Sequence, residues 1–259
     1  MPECAFCSQE AKLTGEHVWS KWICELLDHS GYNFRYRNTE TGEIKHWRSP
    51  TLDQTTNVVC KPCNEGWMSD IESAARATLS NIILHGAPVT LLPRGIVSLA
   101  TFAFKCAVVA NQMSPSPDGK PFFSPLVRHR FRNSLQIPVG VQMWLASFRG
   151  TYASNGMFTA YYAVPPIGSA GDDFDFYVFT YMAGYLVFQL VAARWNKLLR
   201  MGEPLPAYDP DPAWNPATLQ FWPNQYGFPV TWPPSQHFSD DSIDAFRDRL
   251  RGTIRVRIY

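Results

Sequence analysis

The chain has 259 residues, a formal net charge of +1, 46% hydrophobic and 14% aromatic residues, and only 17% charged ones. That composition excludes a disordered chain and leaves room for one large domain or two small ones. The near-neutral balance excludes a uniformly basic coat for nucleic acid but not a local basic patch.

The chain opens Met1-Pro2-Glu3-Cys4, with an acid where a secretory signal carries basic residues and no apolar run behind it. A cytoplasmic protein is the expectation. The longest apolar run, residues 95–113, just reaches the length of a membrane span. It carries Lys105 in its middle with Ser98, Thr101 and Asn111 along it, so it reads as a buried core helix and no membrane partner is expected.

Four of the six cysteines form two knuckles, Cys4-Ala5-Phe6-Cys7 and Cys60-Lys61-Pro62-Cys63. Two residues between thiolates let both sulfurs face one ion while knuckle amides donate to them. Two knuckles together close a tetrahedron, so the spacing points to a structural zinc with no open position. Two readings compete. A redox pair needs its CxxC at the start of a helix that follows a strand, and too little chain precedes Cys4 for that strand. Disulfides need an oxidising compartment, for which the sequence gives no sign. Cys24 and Cys106 sit among apolar residues and read as buried, inert thiols.

Between the knuckles lies Thr14-Gly15-Glu16-His17-Val18-Trp19, and directly after Cys63 comes Asn64-Glu65-Gly66-Trp67-Met68. An acid beside a histidine, with an asparagine fused to the second knuckle, is the pattern a one-metal phosphodiesterase needs. The Glu16 carboxylate and the Asn64 side-chain oxygen are hard ligands suited to Mg²⁺ or Mn²⁺. Neighbouring strand residues point to opposite faces, so Glu16 can hold the metal while His17 faces the water it activates. An unperturbed pKa near neutrality suits histidine to that task.

These residues resemble the HNH endonuclease superfamily, the ββα-metal nucleases. The closest likeness is to the branch whose catalytic motif is embedded in a four-cysteine zinc site, as in the phage endonuclease VII type. The matching pieces are Cys4 and Cys7, Glu16-His17, Asn57-Val58-Val59-Cys60, and Cys63-Asn64. The chain also resembles small bacterial and phage proteins with a Glu-His-Val…Trp segment followed by Cys-Asn-x-Gly-Trp-Met, here Glu16-His17-Val18, Trp22 and Cys63 to Met68. The resemblance covers roughly residues 1–85. It implies that Glu16 and Asn64 bind the divalent metal, that His17 is the general base, and that Asn57 holds the catalytic loop. It also implies 5′-phosphate products. The chain departs from the pattern in having Glu for the commoner Asp, Trp67 where many members place His or Lys, and a longer segment over residues 18–56.

That segment reads as a short helix over 18–27 and a hairpin of 32–37 with 43–48, turning at Thr39-Glu40-Thr41-Gly42. A helix from Asn64 to about His85 buries Trp67, Met68, Ile71, Ala75 and Leu79, and Gly86-Ala87-Pro88 stops it. Glu65 and Glu72 read as solvated helix carboxylates, with a supplementary metal-ligand role as the alternative. His29, His46, His85, His129 and His237 read as structural or solvated.

The boundary falls at 86/87, dividing a zinc-bound nuclease-like module, 1–86, from an α+β domain, 87–259, with an aromatic-rich antiparallel sheet. In that second part a buried helix covers 95–112 and a Pro/Ser-rich loop 111–125. Strands follow over 139–148, 157–164, 174–181 and 185–191. Residues 204–234 read as a long Pro- and Trp-rich loop, 239–251 as a capped helix and 254–259 as an edge strand.

Residues 1–85 hold 8 basic and 11 acidic side chains, a net −3, and the remainder 15 and 11, a net +4. An acidic nuclease module needs help to hold phosphates. Two clusters are the candidates: Arg128, Arg130 and Arg132, and Arg247, Arg249, Arg251, Arg255 and Arg257. Lys105 reads as snorkelling.

The expectation is an α+β chain carrying an HNH-type endonuclease that hydrolyses phosphodiester bonds, with nucleic acid, DNA foremost, as partner. Zinc is structural and Mg²⁺ or Mn²⁺ catalytic. By analogy with HNH enzymes that cut both strands, a homo-oligomer is the matching assembly. The alternatives are a treble-clef zinc module that binds nucleic acid or protein without cutting, and a nuclease effector, for example in phage defence, silent until residues 87–259 receive a signal.

Overall fold

The computed structural model describes residues 1–27, 31–37, 42–114, 119–151, 155–164, 174–195, 207–208, 212–248 and 256–257. In chain order the elements are β1 (Leu13–His17), α1 (Lys21–Leu26), β2 (Tyr32–Arg37), β3 (Ile44–Ser49), β4 (Thr55–Cys60), α2 (Lys61–Cys63), α3 (Ser69–His85), β5 (Val89–Leu91), α4 (Pro93–Met113) and α5 (Pro125–Ser134). They continue with β6 (Val141–Ser147), β7 (Asn155–Val164), β8 (Phe174–Ala183), β9 (Leu186–Trp195), β10 (Ala207–Tyr208), β11 (Thr218–Trp222), β12 (Val230–Trp232), α6 (Ile243–Asp248) and β13 (Val256–Arg257). The chain is mixed helix and sheet, and its strand pairs are antiparallel.

Three short pairs lie outside the main sheet in the first 91 residues or reach into them. β1 pairs with β4, β2 with β3, and β5 with the distant β12. The β1/β4 pair sets Gly15 opposite Asn57, Glu16 opposite Thr56 and His17 opposite Thr55, with a bulge between Thr14 and Gly15. β4 runs straight into the second knuckle. A wide helical turn over Asn64–Met68, kinked at Gly66, then leads into α3. Gly86 closes α3 in the left-handed conformation, φ 59°, with its amide on Ile82 O, the cap that glycine makes without steric cost.

The main sheet is five-stranded, in the order β11-β6-β9-β8-β7. α4 packs against it and against α3. By length and composition α4 could cross a bilayer, yet 78% of its apolar window is buried inside the protein. Every residue from Leu99 to Asn111 is buried, so this part of the helix carries apolar side chains all round because it is enclosed all round, with Thr101, Lys105 and Asn111 as its polar exceptions.

One cluster of buried side chains runs from Phe6, Val18 and Ile71 through Phe104 to Tyr181 and Phe188, crossing residue 86 without a gap. Trp19 Nε1 donates to Met182 O, and Tyr185 N donates to Ile83 O at 3.2 Å. That second bond seats the β8–β9 turn on the end of α3. Gly184 makes the turn with φ 53°, and a Cβ there would lie 2.1 Å from Ile83 O. Gly184→Ala is therefore expected to destabilise the protein by about 2 kcal/mol or more. Urea unfolding checks this, and an unchanged midpoint would contradict the seating.

The structure corrects one sequence expectation and adds one element. The stretch 204–234 is not structureless: it supplies β11 to the main sheet and β12 to β5, and its tryptophan Trp232 is buried. The basic cluster of Arg128, Arg130 and Arg132, for which the sequence predicted no element, lies on α5. The last helix is described only over Ile243–Asp248 and the last strand only over Val256–Arg257, paired with β10. The predicted turn at Thr39-Glu40-Thr41, residues 196–206 and residues 249–255 lie outside the described residues.

Candidate metal centre and active site

The zinc knuckles are brought together by the β1/β4 pair. β4 ends at Cys60, and the first knuckle folds over it: Ala5 N donates to Val58 O, and Cys60 N donates to Cys4 Sγ at 3.3 Å. The four Sγ atoms of Cys4, Cys7, Cys60 and Cys63 all lie within 4.8 Å of one another. A tetrahedron with metal–sulfur bonds of about 2.3 Å has edges of about 3.8 Å. The 3.6 Å between Cys7 Sγ and Cys60 Sγ matches that edge. Four soft thiolates with no fifth donor fit zinc, and all six cysteines are free of disulfides. Among the described residues this is the one group of three or more His, Cys, Asp or Glu side chains placed to hold a metal.

Burial raises the Cys4 thiol, but amide donors from Cys60, Cys7 and Phe6 outweigh it and bring the thiol down to about 7. Burial pushes Cys60 up to about 12. A metal binding there displaces that proton.

Helix α5 forms the outer wall of this centre. Arg128 is buried, with Nε on Ala5 O at 2.6 Å and a guanidinium nitrogen on Phe123 O at 2.9 Å. His129 Nε2 lies 3.1 Å from Ser8 Oγ, and the neighbouring Cys63 thiol raises the pKa of Arg132, whose side chain is exposed. Between these polar contacts the rings of Phe6, Trp67 and Phe131 stack edge to face, at 5.0 and 5.7 Å.

Next to the centre, β1 divides its last two side chains between its two faces. Glu16 points into the core and His17 toward solvent. His17 Nε2 lies 3.1 Å from Asp53 Oδ1, with the imidazole a quarter exposed. A carboxylate at Nε2 keeps the proton there and leaves the Nδ1 lone pair open. Asn64 Nδ2 lies 3.1 Å from both Thr14 Oγ1 and Gly15 O. A carbonyl oxygen accepts only, so the amide nitrogen faces Gly15 and Oδ1 is left over. Asn64 is thus tied to the residue next to Glu16.

The Glu16 carboxylate has a partner that sequence reasoning missed. Lys105, 1% exposed, reaches in from α4 and places Nζ 2.7 Å from Glu16 Oε1 and 2.5 Å from Glu72 Oε1. Ser20 Oγ donates to the same Glu72 oxygen at 2.7 Å. Lys105 does not snorkel, and Glu72 is no solvated carboxylate. The two acids hold the ammonium charged against its burial, with its pKa well above the ordinary lysine value. Its signal in the sequence was a lysine in the middle of an otherwise buried helix, which required a carboxylate partner. Among the described residues, Glu16 Oε2 and Asn64 Oδ1 have no hydrogen-bond partner. Both are hard oxygens.

The other expected site residues are scattered. Asn57 is exposed on β4, opposite Gly15, and among the described residues its side chain makes no hydrogen bond. Glu65 is exposed beside Lys61. Arg128 is built into the wall of the zinc centre, so it offers nothing to a phosphate; Arg130 and Arg132 are exposed on the same helix. Arg247 pairs with Asp244 at 2.7 Å and lies over the Phe158 ring. Arg249, Arg251 and Arg255 lie outside the described residues, and Arg257 is described only as part of β13. Cys24 and Cys106 are both pushed up to about 12 by burial, as inert thiols are.

Compared with known protein families, curated proteins and solved structures, the chain matches none.

Proposed function

We propose that the chain is a metal-dependent phosphodiester hydrolase of the HNH type, acting on nucleic acid, with DNA as its first-choice substrate. The observation that carries this reading is the pairing of His17, at the end of β1, with Asp53 in the loop before β4, together with Glu16 and Asn64 next to the cysteine knuckles in the chain. A scaffold that needed only zinc would need neither His17 nor Asp53 at that place.

In this reading β1, β4 and the helical run from Lys61 correspond to the ββα unit of the family. Asp53 orients the imidazole, and His17 Nδ1 takes the proton of the attacking water. Glu16 Oε2 and Asn64 Oδ1 would hold Mg²⁺ or Mn²⁺, and the ion would supply charge stabilisation at the phosphate and the leaving oxygen. Asn64 is kept in place by Thr14 and Gly15, and Glu16 by Lys105. Arg132, beside Cys63 and so next to Asn64 in the chain, is the best placed of the arginines to meet the nucleic acid backbone.

The specific observation favouring a second reading, a zinc module that binds nucleic acid without cutting it, is the ammonium already seated on Glu16. Incubating supercoiled plasmid with zinc-loaded protein in Mg²⁺, Mn²⁺ or EDTA separates the two. Nicking in either metal and none in EDTA is the expected result. Folded protein that shifts DNA on a gel but never nicks it would replace the first reading by the second.

A further inference from the structure

The triad of Glu16, Lys105 and Glu72 joins three elements, β1, α4 and α3, around one ammonium. Glu16 is 3% exposed at its side chain and Lys105 1%, with Glu72 at the rim at 20%. Cys106, next to Lys105 in the helix, stays a neutral thiol because burial holds it at about 12. The charge of the cluster is therefore that of two carboxylates and one ammonium, a net −1. In so enclosed a place, charge that is not balanced is costly. A divalent cation on Glu16 Oε2 turns −1 into +1. A phosphodiester anion arriving with it brings the sum to zero.

We propose that Lys105 is a positioning residue that holds one oxygen of Glu16 and opposes the divalent cation, so that the site takes its metal together with a nucleic acid phosphate rather than before it. This rests on the reading of Glu16 as a metal ligand. Lys105 acts through Glu16 and touches no substrate. Glu72 and Ser20 fix the ammonium from the other side, which is why the helix carboxylate and the serine belong to the same device.

The test is Mn²⁺ binding, read from the resonance of the free ion, on intact zinc-loaded protein. It is done alone, with a short DNA duplex, and with the same duplex carrying neutral methylphosphonate linkages. Four proteins set the cluster charge: Glu72→Gln (0), wild type (−1), Lys105→Met with Glu72→Gln (−1), and Lys105→Met (−2). Mn²⁺ affinity is expected to rise on the order of tenfold per unit of negative charge, with the double variant matching wild type. The anionic duplex is expected to tighten Mn²⁺ in wild type and the double variant and to add little in Lys105→Met, whose charge the metal alone balances. The neutral duplex is expected to add nothing to any of them.

If Lys105→Met does not fold, wild type, Glu72→Gln and the double variant carry the same comparison. Equal Mn²⁺ affinity across the series, abolished in each by Glu16→Gln, would overturn the proposal and leave Glu16 a metal ligand. No Mn²⁺ binding by any of them would remove the metal-site reading and the proposal with it.

Discussion

Cys60→Ser is expected to yield protein that binds no stoichiometric zinc and does not fold. Cys60 is the hinge of the centre: it ends β4, opens the helical run, donates its amide to Cys4 and sets its sulfur 3.6 Å from that of Cys7. A structural zinc supplies about 10–16 kcal/mol of apparent binding free energy, comparable with the ~5–15 kcal/mol of net stability in a whole domain. The loss does not stop at the knuckles. Phe6, Trp67 and Phe131 pack against the centre and belong to the cluster that continues to the main sheet. Metal analysis and circular dichroism on the purified variant check this, with Cys24→Ser as control, whose thiol bonds only Trp19 O. A metal-free Cys60→Ser protein melting like wild type would show that zinc is not what holds the first knuckle. A strong chelator is expected to act like the substitution.

His17→Ala is expected to abolish nicking by a factor of about 10²–10⁴ while zinc content and melting temperature stay at their wild-type values. The fold tolerates the change because the imidazole is partly exposed and its one ion-pair partner, Asp53, is half exposed. Asp53→Asn is expected to cost less, since the ring remains but its proton is no longer held at Nε2 by a charge. The rates are measured on supercoiled plasmid under saturating Mg²⁺ or Mn²⁺. Undiminished nicking by His17→Ala would assign the activity to a contaminant or the base to another residue.

Much of the first 85 residues was legible because the signals are local. Two CxxC pairs carry their ligand geometry in their spacing, and the structure brings their sulfurs together. Tyr32–Arg37 and Ile44–Ser49 pair as the hairpin pattern requires, and Gly86 caps α3 where a glycine followed by a proline ends a helix. The four middle strands were legible for the same reason, with period and β-branched or aromatic content in one short window.

What was not legible depends on contacts between residues far apart in the chain. Lys105 finds Glu16 across 89 positions, so no window over α4 contains the reason for its burial. Arg128 looked like a phosphate ligand because arginines cluster around it. The carbonyl it binds belongs to Ala5, 123 residues earlier. β12 is only three residues long, Val230–Trp232, set among prolines, and its strand-favouring side chains are too few to mark it without the partner β5, more than a hundred positions earlier. In each case the partner that decides the residue's place lies far outside any local window.

The triad and the α5 wall also dictate an order of assembly. A ribosome delivers Cys4 through Cys63 first, so a nascent chain can close the zinc tetrahedron early. At that moment Glu16 and Glu72 face each other without their ammonium, and the knuckles have no wall. Lys105 emerges only with α4, and Arg128, Phe131 and Arg132 only with α5. Metal capture can therefore precede completion of the carboxylate cluster during synthesis. A nascent chain whose knuckles have left the ribosome while α4 is still inside it would display a knuckle pair ready for zinc, with Glu16 not yet neutralised.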